Sequence, residues 1–439
     1  MPTTVRPAEA PPAAASPRWR LRERALLLVL AGNMLIDALE VSVVLVALPA
    51  VRADLGLPLW QAQGVMSGFA LGFAALLLLG PRITARWGRR RVYLVSLPVF
   101  TAASVAGGLA EDGAVLIAAR VVTGACAALT APTGLAIIST AFPEGAERRR
   151  AVSVYSLFGA AGFTLGLLSA GALTGLSWRW DVVLPGPVAL VLLLFGLRLL
   201  PADDASVRNG PRPTAALLRH GPLLRSAVGA ALLNGTYLGL LVLLTLHFQA
   251  RFGWDAWRTA LAFLPACLPL VLSLPFAGRL VERFGAARLV AAGAAAALLG
   301  QALHLRPGAL DDYASGVLPG LLLVGAAFVL SFAALNLQAL ASVPAPQRPA
   351  AVPLYQAGVQ LGVVLVLPAV AVLSTVGDGL RAPLALLTAL AAAGFLTALT
   401  GLRGDRSDRT DRAEGPDRPP VPKKPSGPSR LSGPSGETA

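Results

Sequence analysis

The sequence predicts an all-α membrane protein with twelve transmembrane helices in two pseudo-symmetric six-helix bundles. Three observations support this fold. The 439-residue chain is 55% hydrophobic and only 14% charged, which is too little charge for a soluble protein of this size. Its apolar residues form twelve segments of roughly 17–25 residues, each long enough to cross a hydrocarbon core as a helix. A short basic turn recurs at half the chain length, which indicates two duplicated halves.

The order of the apolar segments defines the predicted domains. The N-terminal bundle occupies residues 25–200, and the C-terminal bundle occupies residues 227–402. Residues 201–226 are predicted to be a cytoplasmic linker. Residues 1–24 and 403–439 are rich in proline or charge, so we expect them to be disordered and cytoplasmic. The predicted spans lie near 25–48, 63–79, 92–109, 114–138, 152–176, 182–200, 227–248, 260–277, 289–305, 317–341, 352–373 and 383–402.

The distribution of basic residues predicts the orientation in the membrane. Of the 37 Lys and Arg residues, 30 fall in the termini and in the loops on the same side as the termini. Six fall in the opposite loops, and Arg120 lies within a span. Basic residues accumulate on the cytoplasmic side, so we expect a multi-pass protein of the cell membrane with both termini in the cytoplasm. Five tryptophans lie near the outer helix ends, as expected of an interfacial belt: Trp60, Trp178, Trp180, Trp254 and Trp257.

Several other classes of protein are excluded by the sequence. The net charge of +14 is spread over short loops and tails rather than over one folded face, which argues against nucleic-acid binding. The two cysteines both lie in apolar segments and suggest no disulfide framework. There are three histidines without an HExxH motif and there is no Walker loop, so we expect no metal, no cofactor and no enzymatic activity. The first apolar run begins after 24 residues and is too long for a cleavable signal peptide.

A polar stripe in the first span is the strongest candidate site. Asn33, Asp37 and Glu40 have the spacing i, i+4, i+7 and therefore share one face of an otherwise apolar helix. Burial and mutual repulsion both favour the protonated form of these acids, which suits proton coupling. The alternative is that the acids line a wet cavity and have only a structural role. We favour proton coupling, because ionisable groups at membrane depth are costly to keep.

Other polar residues inside spans have less specific signals. Arg120 in the fourth span either pairs with Glu40 or Asp37, or extends to the outer membrane surface. Polar side chains in later spans either line a substrate cavity with Asn33 or form hydrogen bonds between helices. The candidates for the cavity are Asn234, Tyr237, Asn336, Gln356 and Gln360.

The repeated basic turn has a specific glycine spacing. The sequence GPRITARWGRRR contains Arg86 and Gly88, and its weaker copy GRLVERFGAAR contains Gly278, Glu282, Arg283 and Gly285. Gly88 and Gly285 are 197 residues apart. These turns resemble the cytoplasmic loop motif of the major facilitator superfamily. In that family an acid of the motif belongs to a charge network that latches the two bundles. Pro81 and Ala85 replace the glycine and the acid in the first copy, so the resemblance implies a weakened latch that Glu282 partly restores.

Further stretches resemble the drug:proton antiporter branch of that family. EVSVVLVALP, from Glu40 to Pro49, is similar to its first-helix motif. Arg120 and Gly124 match its fourth-helix motif, although Thr123 stands where glutamine is usual. The glycines of its fifth-helix motif are matched by Gly162, Gly166 and Gly171, whereas Leu167 replaces the proline. The GxxxG pair in this span allows close helix contact and is equally consistent with simple packing and with a hinge.

Together these observations predict a proton-coupled transporter that exports an amphipathic organic compound, of the drug or secondary-metabolite class, by alternating access. We expect a monomer whose partners are the substrate, protons and the lipid bilayer. One alternative is a proton-coupled importer or facilitator of the same fold, which the replacements at Ala85 and Leu167 favour. An alternative of another class is a non-transporting receptor or scaffold, for which the costly buried acids would have no use.

The charge bias generates a topological prediction. A reporter that is active only in the cytoplasm, fused after Leu402, should be active because the twelfth span returns the chain to the basic side. Reporter activity in whole cells measures this directly. Activity of an external-only reporter at the same position would contradict both the helix count and the duplication.

Overall fold

The computed structural model describes residues 19–143, 145–201, 217, 219–273, 276–341, 343–344, 347–376 and 379–414. Within these ranges the chain forms helices, turns and short connections, without a strand. Twelve of the described helices are long and apolar enough to cross a membrane. The predicted all-α class and the number of spans are both confirmed.

The N-terminal bundle provides six spans, because α6 and α7 together form the sixth. The backbone of Leu184, between the two helices, is itself helical, and residues Trp178–Leu199 are together long and apolar enough to form one span. The helices are α1 (Leu21–Asp54), α2 (Leu59–Trp87), α3 (Arg89–Gly108), α4 (Gly113–Ala141), α5 (Ala146–Leu173), α6 (Trp178–Val183) and α7 (Pro185–Leu199).

The C-terminal bundle provides the other six spans. Its helices are α8 (Gly221–Arg251), α9 (Ala256–Ser273), the short α10 (Ala277–Phe284), α11 (Ala286–His304), α12 (Leu318–Ala341), α13 (Arg348–Val376) and α14 (Arg381–Glu414). One π-helical turn, Tyr313–Val317, leads into α12. Because the number of spans is even, the first and last helices begin and end on one side of the molecule, which we call the termini side. The opposite side is the far side.

Three helices extend into segments that were predicted to be disordered or a linker. The first helix begins at Leu21 rather than after residue 24. At this start the Glu23 carboxylate accepts a hydrogen bond from the Arg20 backbone N–H at 2.8 Å. Helix α8 begins at Gly221, inside the predicted linker, and α14 continues to Glu414 through the predicted disordered tail. The tail sequence places acids four residues before arginines at 405/409 and 408/412, a spacing that stabilises helices. The rest of the predicted disordered and linker residues, 1–18, 202–216 and 415–439, lie outside the described residues.

Close packing of α1 against α5 holds the N-terminal bundle together. A Cβ atom placed on Gly162 would lie 2.9 Å from the Ala38 Cβ, and one on Gly166 would lie 2.8 Å from the Leu39 carbonyl oxygen. These glycines therefore let the two backbones approach more closely than any other residue would permit. The close helix contact that the GxxxG spacing allows is present between α1 and α5, while a hinge role stays a prediction.

On the far side, polar contacts connect the ends of three helices. The Asp54 carboxylate accepts hydrogen bonds from the Trp178 indole at 2.9 Å and from Arg179 at 3.2 Å. Arg179 also donates to the carbonyl oxygens of Gly108 and Ala110. Trp178 is buried in this cluster, so its predicted place in an interfacial belt is wrong, whereas Trp60 and Trp180 are exposed as predicted.

The two bundles meet along α2 with α13 and along α5 with α9. At the far-side end of α5, a Cβ atom on Gly171 would lie 2.8 Å from the Ala260 Cβ of α9. Nearby, the Gln249 side-chain amide of α8 donates to the Val46 carbonyl oxygen of α1 at 3.1 Å. The bundles are therefore in contact on the far side.

The α1–α5 contact can be tested by filling it. Gly162→Val would force a branched side chain against the α1 backbone, and we expect it to lower the free energy of unfolding by about 1–3 kcal/mol. Gly175→Val is the matched control, since Gly175 is exposed and a Cβ there meets only the Ala172 carbonyl oxygen at 3.8 Å. Thermal unfolding of the purified protein in detergent measures both variants. Equal melting temperatures for the two variants would contradict the close packing.

Candidate functional site

The polar stripe of α1 faces into the N-terminal bundle. Asn33, Asp37 and Glu40 are exposed by 3%, 7% and 0% respectively, which agrees with the single face that their spacing predicts. The stripe lies in the middle part of a 34-residue helix, so it is distant from both membrane surfaces. Each acid therefore depends on protein partners rather than on water.

Glu40 forms a buried ion pair with Arg120 of α4. The guanidinium group contacts the Glu40 carboxylate through Nη1 and donates to the Glu40 carbonyl oxygen through Nη2 at 2.6 Å. Its Nε donates to the Val65 carbonyl oxygen of α2 at 3.3 Å, and its centre lies 4.9 Å from the ring of Phe69. Arg120 is 1% exposed, so it does not extend to the outer surface. The second carboxylate oxygen of Glu40, Oε1, has no hydrogen-bond partner among the described residues.

Asp37 has a separate set of partners. Its Oδ2 atom accepts hydrogen bonds from Asn33 at 2.9 Å and from Thr130 of α4 at 3.2 Å. A narrow crevice, too small to hold a water molecule, adjoins this group and is lined by residues of α1, α3, α4 and α7, including Cys126. Thr130 is ten residues beyond Arg120, or roughly 15 Å along α4 at the helical rise. The two acids share a helix face but have no partner in common.

An aromatic cluster lies where the two bundles meet. The ring of Tyr237 in α8 is 6.0 Å from that of Phe163 in α5 and 4.5 Å from that of Phe328 in α12. Phe332 stacks on Phe328 at 5.3 Å. The Tyr237 hydroxyl lies 3.2 Å from the Cys267 sulfur of α9. The cluster contains residues from near the middle of three spans and belongs to both bundles.

The structure brings together only part of the predicted substrate cavity. Asn234 donates to the Val359 carbonyl oxygen of α13 at 3.4 Å, which connects two helices of the same bundle. Asn336, Gln356 and Gln360 are half-buried and have no hydrogen-bond partner within the described part of the chain. Tyr237 is the predicted cavity residue that contacts the opposite bundle.

The two basic turns adopt the same backbone conformation. Gly88 and Gly285 have φ values of 86° and 81°, in the left-handed region that favours glycine, and each lies between two successive helices. Arg90 donates to the carbonyl oxygens of Leu197 and Leu200, at the end of α7. The first turn therefore binds its own bundle.

The predicted latch is not formed in this conformation. Glu282 and Arg283 are exposed, and Glu282 makes no ion pair with any described residue. Arg86 and Gly278 are also exposed, and a Cβ atom on Gly278 would meet no atom within 4 Å. A latching role for these residues stays a prediction for another conformation.

Sequence reasoning missed several residues of the site. Phe163, Phe328 and Phe332 looked like ordinary apolar residues of a span, because periodicity does not distinguish a ring that faces the other bundle from one that faces lipid. Thr130 looked like a residue that bonds only to its own helix, which it also does. Gln249 could have been identified from the sequence as a residue that bonds to another helix, since a side-chain amide near the end of an apolar span needs a hydrogen-bond partner.

Comparisons with known proteins give a consistent picture. The family model of the Major Facilitator Superfamily matches residues 30–352. The puromycin resistance protein pur8 of Streptomyces alboniger is 32% identical over 417 residues, which cover 81% of this chain and 82% of that protein. The cephamycin export protein CmcT of Amycolatopsis lactamdurans is 39% identical over 46% of this chain and 41% of its own length. The nucleoside transporter NupG has a TM-score of 0.68 at 12% identity, covering 88% of this chain and 99% of that one, and shares the fold.

The buried ion pair makes an asymmetric prediction for stability. Glu40→Gln leaves Arg120 as an unpaired buried cation, and we expect it to lower the free energy of unfolding by about 3–5 kcal/mol. Arg120→Gln should cost less, because a carboxylate left alone can take up a proton whereas a guanidinium group cannot lose one. The double variant should recover much of the loss. Unfolding of all four proteins in detergent measures the cycle, and simple additivity of the two single losses would argue against the pair.

Proposed function

The chain belongs to the major facilitator superfamily, and we propose that it exports an amphipathic organic compound from the cell in exchange for protons, by alternating access. It is a multi-pass membrane protein with twelve spans and is a transporter rather than an enzyme. Proteins of this family handle small organic substrates. We further propose that it acts as a monomer in the cell membrane with both termini in the cytoplasm, which the charge bias supports.

The single observation that carries the proton coupling is the ion pair of Glu40 with Arg120. Protonation of Glu40 would remove its charge and leave the buried guanidinium group without a counterion, a state that costs several kcal/mol. Arg120 would then keep only the carbonyl oxygens of Glu40 and Val65 and the ring of Phe69 as partners. The position of α4 relative to α1 and α2 therefore depends on the protonation state of one carboxylate. This dependence is what a proton-driven conformational change requires.

The aromatic cluster supports the substrate class. Phe163 and Tyr237 bring rings of the two bundles together, Phe328 and Phe332 extend the cluster within the C-terminal bundle, and the Tyr237 hydroxyl adds a polar group. Aromatic side chains with few polar groups suit a ligand that is largely apolar with a polar end. The names of two similar proteins, which refer to puromycin resistance and cephamycin export, support outward transport of a drug or secondary metabolite.

The conformation of the bundles supports alternating access. Contacts of Gly171 with Ala260 and of Gln249 with Val46 bring the bundles together on the far side, which we propose to be the external side. Breaking these contacts while forming the latch on the termini side would expose the aromatic cluster outward. Glu282 and Arg283, which are exposed here, are the residues that we propose to form that latch.

The coupling proposal predicts different effects for the two acids. Glu40→Gln should reduce pH-gradient-driven accumulation of puromycin to background. Glutamine carries no negative charge, so it can neither bind a proton nor form an ion pair with Arg120. Asp37→Asn should alter only the pH dependence, since an asparagine can still bond with Thr130. Uptake into inverted vesicles with and without a pH gradient measures this, and binding to the purified protein should remain detectable in both variants.

Glu23→Gln is the matched control on the same helix, because Glu23 is a half-buried acid at the start of α1, far along the helix from Asp37 and Glu40. Uptake should be normalised to folded protein and measured below the melting temperature of every variant. If the double variant Asp37→Asn, Glu40→Gln still drives uphill, proton-dependent export, these acids are not the coupling site.

A further inference from the structure

Two outward faces of the N-terminal bundle each end in an arginine on the termini side. In α3 the exposed face carries Arg91, Val95 and Val99, at the spacing i, i+4, i+8. In α7 it carries Leu194 and Arg198, again four residues apart. The two valines are 47% and 44% exposed, and Leu194 is 58% exposed. Since both helices are parts of membrane spans, these apolar side chains contact lipid tails, and the arginines lie at the level of the lipid head groups.

The helices α3 and α7 lie side by side and are held together by polar contacts. Near the middle of the pair, the Thr101 hydroxyl of α3 donates to the Gly186 carbonyl oxygen of α7 at 3.0 Å. At the termini side, Arg90 of α3 donates to the Leu197 carbonyl oxygen of α7 at 2.9 Å. Both helices pack against helices of their own bundle. Their outward faces therefore adjoin each other on the outside of the molecule.

The two outward arginines have no partner in the described part of the chain. Arg91 and Arg198 each follow, in sequence, one of the residues that form the Arg90 contact, so they flank the same point between the helices. Neither makes a hydrogen bond or an ion pair with any described residue. The described acids of this bundle on the termini side, Glu23 and Glu147, lie at the starts of α1 and α5 instead. Two guanidinium groups without a counterion, at the level of the head groups, favour a phosphate group.

The duplication shows that this arrangement belongs to one half. In the second basic turn, Arg288 occupies the position of Arg91, three residues after the turn glycine, and it is exposed as well. The residue before it is Ala287, which has no side-chain donor to bind a neighbouring helix as Arg90 does. The C-terminal bundle therefore keeps one outward arginine at this position without the contact that fixes a second helix beside it.

We propose that α3 and α7 together bind one anionic phospholipid, such as phosphatidylglycerol, on the outside of the N-terminal bundle. Its phosphodiester group would accept hydrogen bonds from Arg91 and Arg198. One acyl chain would lie along Val95 and Val99, and the other along Leu194. The paired arginines would select a net negative head group over a zwitterionic one, whose ammonium group they repel. This site is separate from the aromatic cluster, and the proposal does not depend on the direction or coupling of transport.

Native mass spectrometry of the full-length protein tests the site. The purified transporter, in a neutral detergent, is mixed with equal amounts of phosphatidylglycerol and phosphatidylcholine, and we expect it to retain mainly phosphatidylglycerol. Arg91→Ala and Arg198→Ala should each reduce the retained phosphatidylglycerol about tenfold, because each removes a hydrogen bond between charged groups. Phosphatidylglycerol with a diazirine on one acyl chain should label α3 or α7 on irradiation, as mapped from the labelled peptides.

Arg288→Ala is the matched control, since Arg288 is an exposed arginine at the same position of the other half. It should leave lipid retention unchanged. Without lipid, all variants should have equal melting temperatures, because Arg91 and Arg198 have no described protein partner to lose. Added phosphatidylglycerol should raise the melting temperature of the unaltered protein and of Arg288→Ala, but not that of the double variant Arg91→Ala, Arg198→Ala. Inorganic phosphate should not displace the lipid, because it makes no contact with the apolar faces.

Four outcomes would overturn the proposal. Equal retention of phosphatidylcholine would show that the arginines do not select the head group. An equal loss of retained lipid in Arg288→Ala and Arg91→Ala would show a diffuse effect of positive charge rather than a site. Displacement of the lipid by inorganic phosphate would show a site for a free anion. Label confined to helices other than α3 and α7 would place the lipid elsewhere on the surface.

Discussion

The ion pair of Glu40 with Arg120 lies wholly inside the protein, where neither charge can be hydrated. Its Coulomb attraction must therefore balance the desolvation of both ions, and the extra hydrogen bonds from Arg120 to two backbone carbonyl oxygens contribute to that balance. These bonds link α4 to α1 and α2 at one point. Under the proposed coupling, protonation of Glu40 would remove one charge of the pair, so the contact that links these three helices would also be the one that a proton breaks.

The sequence predicts most of the fold, because a hydrocarbon core imposes a length and a composition on every span. It does not predict helix ends equally well, since the membrane sets where the apolar run stops and not where the helix stops. Helices α8 and α14 illustrate this, as both continue into polar sequence on the termini side. The continuation of α14 through acids and arginines at helical spacing could have been recognised from the charge pattern alone.

The candidate site was predictable to the extent that it contains charge. An arginine and two acids at membrane depth need partners, so Glu40, Asp37 and Arg120 were identifiable. The structure decided whether Arg120 pairs with Glu40, pairs with Asp37 or extends to the surface. The assignment of Thr130 to Asp37 depends on how α4 crosses α1, which no local pattern encodes. The aromatic cluster depends on which faces of α5 and α8 meet across the bundles and on how α12 packs against α8. Phe163 and Phe328 resemble many other apolar residues until that interface is known.

The two halves share a backbone plan and differ in charge, and under the proposed function this difference gives each half a distinct task. The 197-residue spacing that relates Gly88 to Gly285 also relates Asp37 to Asn234 and Glu40 to Tyr237. At these positions the acids of the first half are replaced in the second by a neutral amide and by a ring of the aromatic cluster. A proton can therefore change the charge of the N-terminal bundle at this depth, while the matching positions of the C-terminal bundle offer neutral groups and apolar surface. The proposed coupling would require that movement of α1 in one half be transmitted to α8 in the other, and the hydrogen bond from Gln249 to Val46 lies directly between these two helices.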